Sequence, residues 1–194
     1  MNEDRARIER GDWMQTYSGG RFYPLDPQPG EIDRGDIAHA LSLLCRYGGH
    51  VDRFYSVAEH CVLMSQFVEP EHALATLLHD ATEAFVVDVP RPLKRVLRDY
   101  GAIEAAVWNA ICQKFRIAAD LPESVKDADN RILLTERTAL MPRAERWSQD
   151  DEYSPLPVTI QCWSPSVAER AYAARLSELL AGRAITAAAE GSEE

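Results

Sequence analysis

Residues 56–85, SVAEHCVLMSQFVEPEHALATLLHDATEAF, carry apolar side chains at intervals of three and four residues, a spacing typical of amphipathic helices. Ser56 and Glu59 form a capping box, which predicts a helix through the first half of the stretch. A proline then separates it from a second predicted helix over 71–85, whose apolar stripe consists of Leu74, Leu77, Leu78, Ala81 and Phe85. Two such helices in succession favour a helical fold.

The helical pattern continues on both sides of this stretch. Asp36 can cap a helix that ends at Gly48-Gly49. Further helices are predicted over 93–99, over 102–116, from Pro122 to about 140, and over 166–181. Residues 12–24 differ, because aromatic and β-branched side chains flank Ser18-Gly19-Gly20, which is typical of a β-hairpin.

We therefore predict an all-α fold, a helical bundle with a short N-terminal β-hairpin. The 194 residues are enough for one domain, which we place at 1–183 with its helical core at 36–140. The Ala- and Glu-rich tail over 184–194 is expected to be disordered.

Composition argues against several classes of partner. The chain has 21 Lys and Arg against 31 Asp and Glu, which gives a net charge of −10. We therefore expect no nonspecific binding to a nucleic-acid polymer. No apolar run approaches the roughly 18 residues of a membrane span, and no signal peptide is recognisable. The cysteines lack a C-x-x-C pair and are expected to be reduced thiols in a cytoplasmic protein; they are Cys45, Cys61, Cys112 and Cys162.

All five histidines lie between residues 39 and 79: His39, His50, His60, His72 and His79. Any histidine-based site must draw its imidazoles from this window, which excludes a catalytic triad with a late histidine. His60 and His79 are the candidate ligands. We expect His39 and His50 to pack or hydrogen-bond and His72 to be exposed.

His79 and Asp80 lie in the middle of the predicted second helix, directly after two leucines. A charged carboxylate in such a place has to be paired or bound. Glu83 lies four residues after His79 and three after Asp80, so all three share one side of a helix. Ligands from other helices would complete a metal site.

His60 and Asp129 each have two interpretations. Apolar residues surround His60 at helical spacing, so a satisfied core histidine and a metal ligand are both open. Asp129 also has apolar neighbours and could be a cap, an ion-pair partner or a ligand. With His79 and Asp80 they supply imidazoles and carboxylates that suit one divalent transition metal ion, namely Mn²⁺, Co²⁺, Fe²⁺, Ni²⁺ or Zn²⁺.

The order of these residues resembles the HD-domain metal-dependent phosphohydrolases. The matching segments are Ser56-Val-Ala-Glu-His60, His79-Asp80-Ala-Thr-Glu83, Asp88-Val-Pro-Arg-Pro-Leu-Lys94 and Asp129. The HD segment and the proline-containing segment together are similar to the branch that contains bacterial 5′-deoxynucleotidases and HD-type phage dATP triphosphohydrolases. The resemblance covers about residues 36–140.

The resemblance implies that His60, His79, Asp80 and Asp129 hold one metal ion. Binuclear members of the superfamily add histidines after the HD pair, and this chain has none beyond residue 79. Glu83 matches the family's catalytic carboxylate, which orients or deprotonates the attacking water. An ion pair with an arginine is the structural alternative for Glu83.

The resemblance also implies contacts to substrate. Arg46 and Tyr47 lie where the deoxynucleotidases carry an Arg-Trp pair, which implies a bidentate phosphate contact and packing near base or sugar. Arg46 could equally satisfy a helix C-terminus. Asp88 is implied to accept a sugar hydroxyl, with a turn cap as the alternative. Lys94 is implied to assist with phosphate, with a solvated basic face as the alternative.

We therefore expect a phosphohydrolase that acts on small nucleotides, foremost (deoxy)nucleoside 5′-monophosphates, and that forms a homodimer or larger homo-oligomer. Nucleoside triphosphate hydrolysis and phosphodiester hydrolysis are alternatives. A metal-containing module that senses nucleotides without turnover is an alternative of another class, against which the presence of Glu83 argues.

Overall fold

The computed structural model describes residues 10–141, 143 and 145–190, with side chains through residue 185. Helices account for 57% of the structure, with a two-stranded antiparallel hairpin near the N-terminus. The predicted all-α fold with an N-terminal hairpin is therefore confirmed. The helices are α1 (Arg34–Leu43), α2 (Val57–Met64), α3 (Ala73–Leu78), α4 (Glu83–Val86), α5 (Arg91–Lys94), α6 (Tyr100–Phe115), α7 (Glu123–Leu140) and α8 (Pro165–Glu190).

The chain forms two compact units, and each is described by itself. The first unit comprises the described residues up to Leu41 together with Asp80–Asp120. The second unit comprises Ser42–His79 and the described residues from Leu121 onward. No helix in the described part of the chain has the length and apolar character that crossing a membrane requires.

The hairpin of the first unit pairs strands β1 (Met14–Gln15) and β2 (Arg21–Phe22), with Met14 opposite Phe22. Its turn requires a left-handed residue, which Gly19 supplies at φ +87°. The ring of Phe22 stacks on that of Phe85 with centroids 4.2 Å apart, which joins the hairpin to α4.

The cap of α1 differs from the prediction. Asp33, not Asp36, satisfies the first turn, since its Oδ1 accepts the backbone N–H groups of Gly35 at 2.6 Å and Asp36 at 3.2 Å. Asp36 lies inside the helix, and its buried carboxylate accepts the backbone N–H and hydroxyl of Ser18 at 2.7 and 2.9 Å. It therefore fastens the hairpin turn to α1.

The predicted helix over 71–85 is interrupted. Regular helix ends at Leu78 and resumes at Glu83, so His79 caps α3 instead of lying in mid-helix. The N–H groups of Glu83, Ala84 and Phe85 bond carbonyls three residues earlier, and such tighter bonds close a turn of smaller repeat than the α-helix.

The C-terminal helix is longer than predicted. It runs from Pro165 to Glu190, so the expectation of disorder is wrong for residues 184–190. Ala and Glu are strong helix formers, which allows the helix to extend beyond the amphipathic part. The rest of the predicted tail, 191–194, lies outside the described residues.

In the second unit α2 packs against α3, α7 and α8, and α3 also packs against α8. Its core cluster consists of Tyr55, Leu63, Met64, Val125, Ala128, Ile132, Leu140, Leu156 and Ile160. The hydroxyl of the fully buried Tyr172 donates to the carbonyl of Leu77 at 2.9 Å, which ties α8 to α3. The unit thus fixes α2, α3 and α7, the elements from which the site is built.

Glu59 forms only half of the predicted capping box. Ser56 Oγ accepts the Glu59 N–H at 3.1 Å, as expected for a cap. The buried Glu59 carboxylate instead accepts the backbone N–H groups of Gln161, Cys162 and Trp163 at 2.8, 3.0 and 2.6 Å. It thereby holds the loop that leads into α8.

We predict that Glu59→Gln lowers the free energy of unfolding by about 1–3 kcal/mol, because an amide cannot accept three N–H bonds and places its own donors among them. Urea denaturation measures this loss. Glu71→Gln is the matched control at an exposed position, and equal stability of the two variants would contradict the assignment.

Candidate metal centre

Three of the predicted metal ligands converge in the second unit. His60, His79 and Asp129 each offer one ligand atom, and these atoms all lie within 4.8 Å of one another. The two imidazole Nε2 atoms are 3.4 Å apart, and Asp129 Oδ1 is 3.6 Å from His60 Nε2. We refer to these three side chains as the ligand cluster.

Each member of the ligand cluster comes from a different element. His60 lies on α2 and is fully buried. His79 directly follows α3, and Asp129 lies on α7 with 23% of its side chain exposed. Solvent therefore cannot reach the ligand cluster at His60 on α2, but it can reach the cluster at Asp129. Water or substrate oxygens have room at that position.

Hydrogen bonds fix the tautomers of both imidazoles. His79 Nδ1 lies 2.8 Å from the carbonyl oxygen of Thr76, which can only accept, so Nδ1 carries the proton. His60 Nδ1 lies 2.6 Å from a carboxylate oxygen of Glu136 and donates to it in the same way. In both rings the lone pair is then on Nε2, the atom directed into the ligand cluster.

The donor set fits a divalent transition metal ion. Two lone pairs 3.4 Å apart cannot hydrogen-bond each other, and a cation between them resolves the repulsion. Two nitrogen ligands at about 2.1 Å from an ion and at tetrahedral angles lie roughly 3.4 Å apart. The imidazoles and a carboxylate are also the ligands that such ions prefer.

Glu136 is the site residue that sequence reasoning missed. It lies on α7 seven residues after Asp129, two helical turns along the same face. Its carboxylate is fully buried, and Ile132 and Leu140, four residues to either side, are fully buried as well. A glutamate within an apolar stripe was the available signal, because Glu is almost never buried without partners.

Arg46 and Tyr47 meet Glu136. The Tyr47 hydroxyl donates to Glu136 Oε2 at 2.5 Å, and Arg46 Nη2 lies 3.4 Å from the same oxygen. Both residues belong to the short 3₁₀ segment Arg46–Gly49, where Tyr47 has φ +57°. The structure thus places the predicted substrate-binding pair around a carboxylate that also holds His60.

These contacts shift the pKa values of the network. Burial alone would raise the pKa of Glu136, but the charge of Arg46 and the hydrogen bonds from His60 and Tyr47 lower it to about 2. Burial and the adjacent Glu136 carboxylate raise the pKa of Tyr47 well above its ordinary value. Glu136 therefore stays ionised as an acceptor, and Tyr47 stays protonated as a donor.

The remaining predicted site residues belong to the first unit. Asp80 follows His79 directly in the chain, and Glu83 begins α4 with only 9% of its surface exposed. Asp88 is exposed in the segment between α4 and α5. Lys94 Nζ forms an ion pair with Glu104 at 2.5 Å, so its charge is engaged within the unit.

The other histidines lie outside the ligand cluster. His39 stacks on Tyr17 with ring centroids 3.5 Å apart, which agrees with the expected packing role. His72 is half-buried where exposure was expected, because its Nδ1 bonds Ser124 Oγ at 2.8 Å. His50 is exposed.

We predict that Mn²⁺ or Co²⁺ added to metal-stripped protein raises the melting temperature. An ion at 100 times its dissociation constant stabilises by about 2.7 kcal/mol, or about 5–10 °C for a chain of this size. Asp129→Asn should lose most of the shift, since it removes the charged ligand. His72→Gln is the control and should keep it. A full shift in Asp129→Asn, measured by calorimetry, would argue against the cluster.

Comparison with known proteins identifies relatives. No family model matches the chain. The uncharacterized protein YfdR of Escherichia coli K12 is 44% identical over 128 residues, which cover 66% of this chain and 72% of YfdR. The uncharacterized protein RCAP_rcc00048 of Rhodobacter capsulatus is 34% identical over 126 residues, 60% of this chain and 64% of that protein. At this level of identity and coverage, the chain belongs to the same protein family as YfdR.

Proposed function

We propose that the protein is an HD-type, metal-dependent phosphohydrolase that acts on small nucleotides, foremost (deoxy)nucleoside 5′-monophosphates. The observation that carries the proposal is the convergence of His60, His79 and Asp129, with both imidazole lone pairs directed into the ligand cluster. The resemblance of the ordered sequence segments to the HD phosphohydrolases supports it further.

In the proposal His60, His79, Asp80 and Asp129 hold one divalent ion. When bound, such an ion polarises a phosphoryl oxygen and lowers the pKa of water. The two carboxylates balance the charge of the ion within a helical core, and the neutral imidazoles hold it without adding charge. The exposed part of Asp129 leaves an approach for the phosphate.

Glu83 is the proposed catalytic carboxylate. It is surplus to the ligand set and nearly buried at the start of α4. Glu83 would orient the attacking water and accept its proton as the water oxygen bonds to phosphorus. The bond between phosphorus and the nucleoside 5′ oxygen would break in the same reaction, and the nucleoside would leave with a proton from solvent.

The proposed substrate contacts differ in their support. Asp88 is exposed and can accept a hydrogen bond from a sugar hydroxyl. Lys94 would have to exchange its ion pair with Glu104 for a phosphate oxygen. Arg46 contacts Glu136, so its direct contact with phosphate has less support than the sequence suggested.

The test is a phosphate-release and chromatographic assay of the metal-loaded protein against nucleoside and deoxynucleoside mono- and triphosphates. We expect turnover of at least one 5′-monophosphate. Triphosphate release alone would transfer the assignment to the alternative triphosphohydrolase activity. Binding without turnover of any substrate, in the presence of Mn²⁺, Co²⁺, Fe²⁺, Ni²⁺ or Zn²⁺, would contradict the proposal.

Glu83→Gln should lower kcat by about 10²–10⁴-fold while leaving metal stoichiometry unchanged, because it removes the general base and no ligand. Asp120→Asn makes the same carboxylate-to-amide change at an exposed position of the first unit. It should keep full activity. Full activity in Glu83→Gln would remove this residue from the mechanism.

A further inference from the structure

Among the described residues, three side chains lie within hydrogen-bond or ion-pair distance of the buried Glu136 carboxylate. Oε1 receives the Nδ1 proton of His60 at 2.6 Å, and Oε2 receives the Tyr47 hydroxyl at 2.5 Å with Arg46 at 3.4 Å. His60 is the one partner that belongs to the ligand cluster. The carboxylate itself is not among the atoms that converge there.

We infer that Glu136 is a positioning residue for the metal centre and that Tyr47 and Arg46 act through it, as its supports, and not as contacts to substrate. The inference rests on the metal-binding part of the proposed function. It assigns no covalent role to Glu136.

The geometry of His60 supports this role for Glu136. Its ring is fully buried and has two nitrogens, and a ligand must present an unprotonated nitrogen to the ion. A charged acceptor on Nδ1 selects the tautomer with its lone pair on Nε2, fixes the plane of the ring and raises the basicity of the ligand. Glu136 Oε1 occupies that position.

The buried carboxylate of Glu136 carries a cost in folding stability. Burying a carboxylate is expensive, and apolar side chains of similar volume often serve stability as well or better. Ile132 and Leu140 are such buried apolar side chains on the same face of α7. The charged groups around Glu136 are therefore better explained by their effect on the orientation and tautomer of His60 than by a contribution to the stability of the core.

The backbone conformation of Tyr47 also supports this role. It adopts φ +57° although it has a side chain, and Gly48 and Gly49 follow with φ +59° and +82°. Residues with side chains rarely adopt this conformation, and such strain persists only where surrounding contacts enforce it. Here the left-handed turn accompanies the bond from the Tyr47 hydroxyl to Oε2, which leaves Oε1 to His60.

The chain offers a matched pair of variants for the test. Glu136→Gln and Glu59→Gln both neutralise a fully buried glutamate of the second unit, but the Glu59 carboxylate binds backbone N–H groups of the loop 161–163. We expect Glu136→Gln to raise the dissociation constant for Mn²⁺ about 10–100-fold and to alter the visible spectrum of the Co²⁺ protein. Glu59→Gln should lower stability and leave both unchanged.

Tyr47→Phe tests the supporting role and keeps the inference falsifiable if Glu136→Gln does not fold. We expect about two- to tenfold weaker Mn²⁺ binding, as for the loss of one hydrogen bond. The effect of Tyr47→Phe on Mn²⁺ binding should be smaller in a protein that already carries Glu136→Gln, because both changes weaken the same support of His60. Tyr100→Phe, which removes a hydroxyl bond to Val87 in the first unit, is the control.

Isothermal titration of the metal-stripped proteins separates the outcomes. Unchanged Mn²⁺ affinity in both Glu136→Gln and Tyr47→Phe, or no Mn²⁺ binding by the wild type, would overturn the inference. A Tyr47→Phe variant altered only in the KM for nucleotide would identify Tyr47 as a substrate contact and overturn its assigned role. Tight metal binding that depends on Glu136, without hydrolysis of any nucleotide, would contradict the proposed function and leave the inference standing.

Discussion

The hydrogen bond between His60 Nδ1 and Glu136, at 2.6 Å between two fully buried side chains, is the interaction on which the proposed metal centre depends. It joins α2 to α7 and decides which imidazole nitrogen carries the proton. If Glu136 were apolar, the ring could rotate or reverse its tautomer, and the Nε2 lone pair would no longer be fixed beside His79 and Asp129. The arginine and tyrosine around Glu136 follow from the need to keep that carboxylate charged within a core.

The net negative charge of the chain is compatible with an anionic substrate, because the substrate responds to the charges close to the site. A net charge of −10 describes the whole chain, whereas the sign of a pocket depends on the groups within a few ångströms. A divalent ion held by neutral imidazoles and carboxylates attracts phosphate even in an acidic protein. All five histidines lie within residues 39–79, but of these five only His60 and His79 contribute to the ligand cluster.

The sequence was sufficient to predict the helices with strong periodicity and the three candidate ligands that converge. Pro122 and the apolar stripe predicted α7 almost to its ends, and the hairpin followed from its glycine turn. It was not sufficient to predict where side chains find partners far along the chain. Glu59 fits a capping box locally, yet its carboxylate accepts N–H groups 102–104 residues away. Glu136 was not predicted because a single glutamate on a helix matches no motif, and its partners lie 76–90 residues earlier in the chain.

The central claim is that one divalent ion is held where His60, His79 and Asp129 converge. Diffraction from crystals soaked in Mn²⁺, recorded at the manganese absorption edge, tests it most directly. We expect one anomalous peak about 2.0–2.3 Å from His60 Nε2, His79 Nε2 and a carboxylate oxygen of Asp129. A peak bound to other residues, a second ion beside the first, or no peak at the ligand cluster would contradict it.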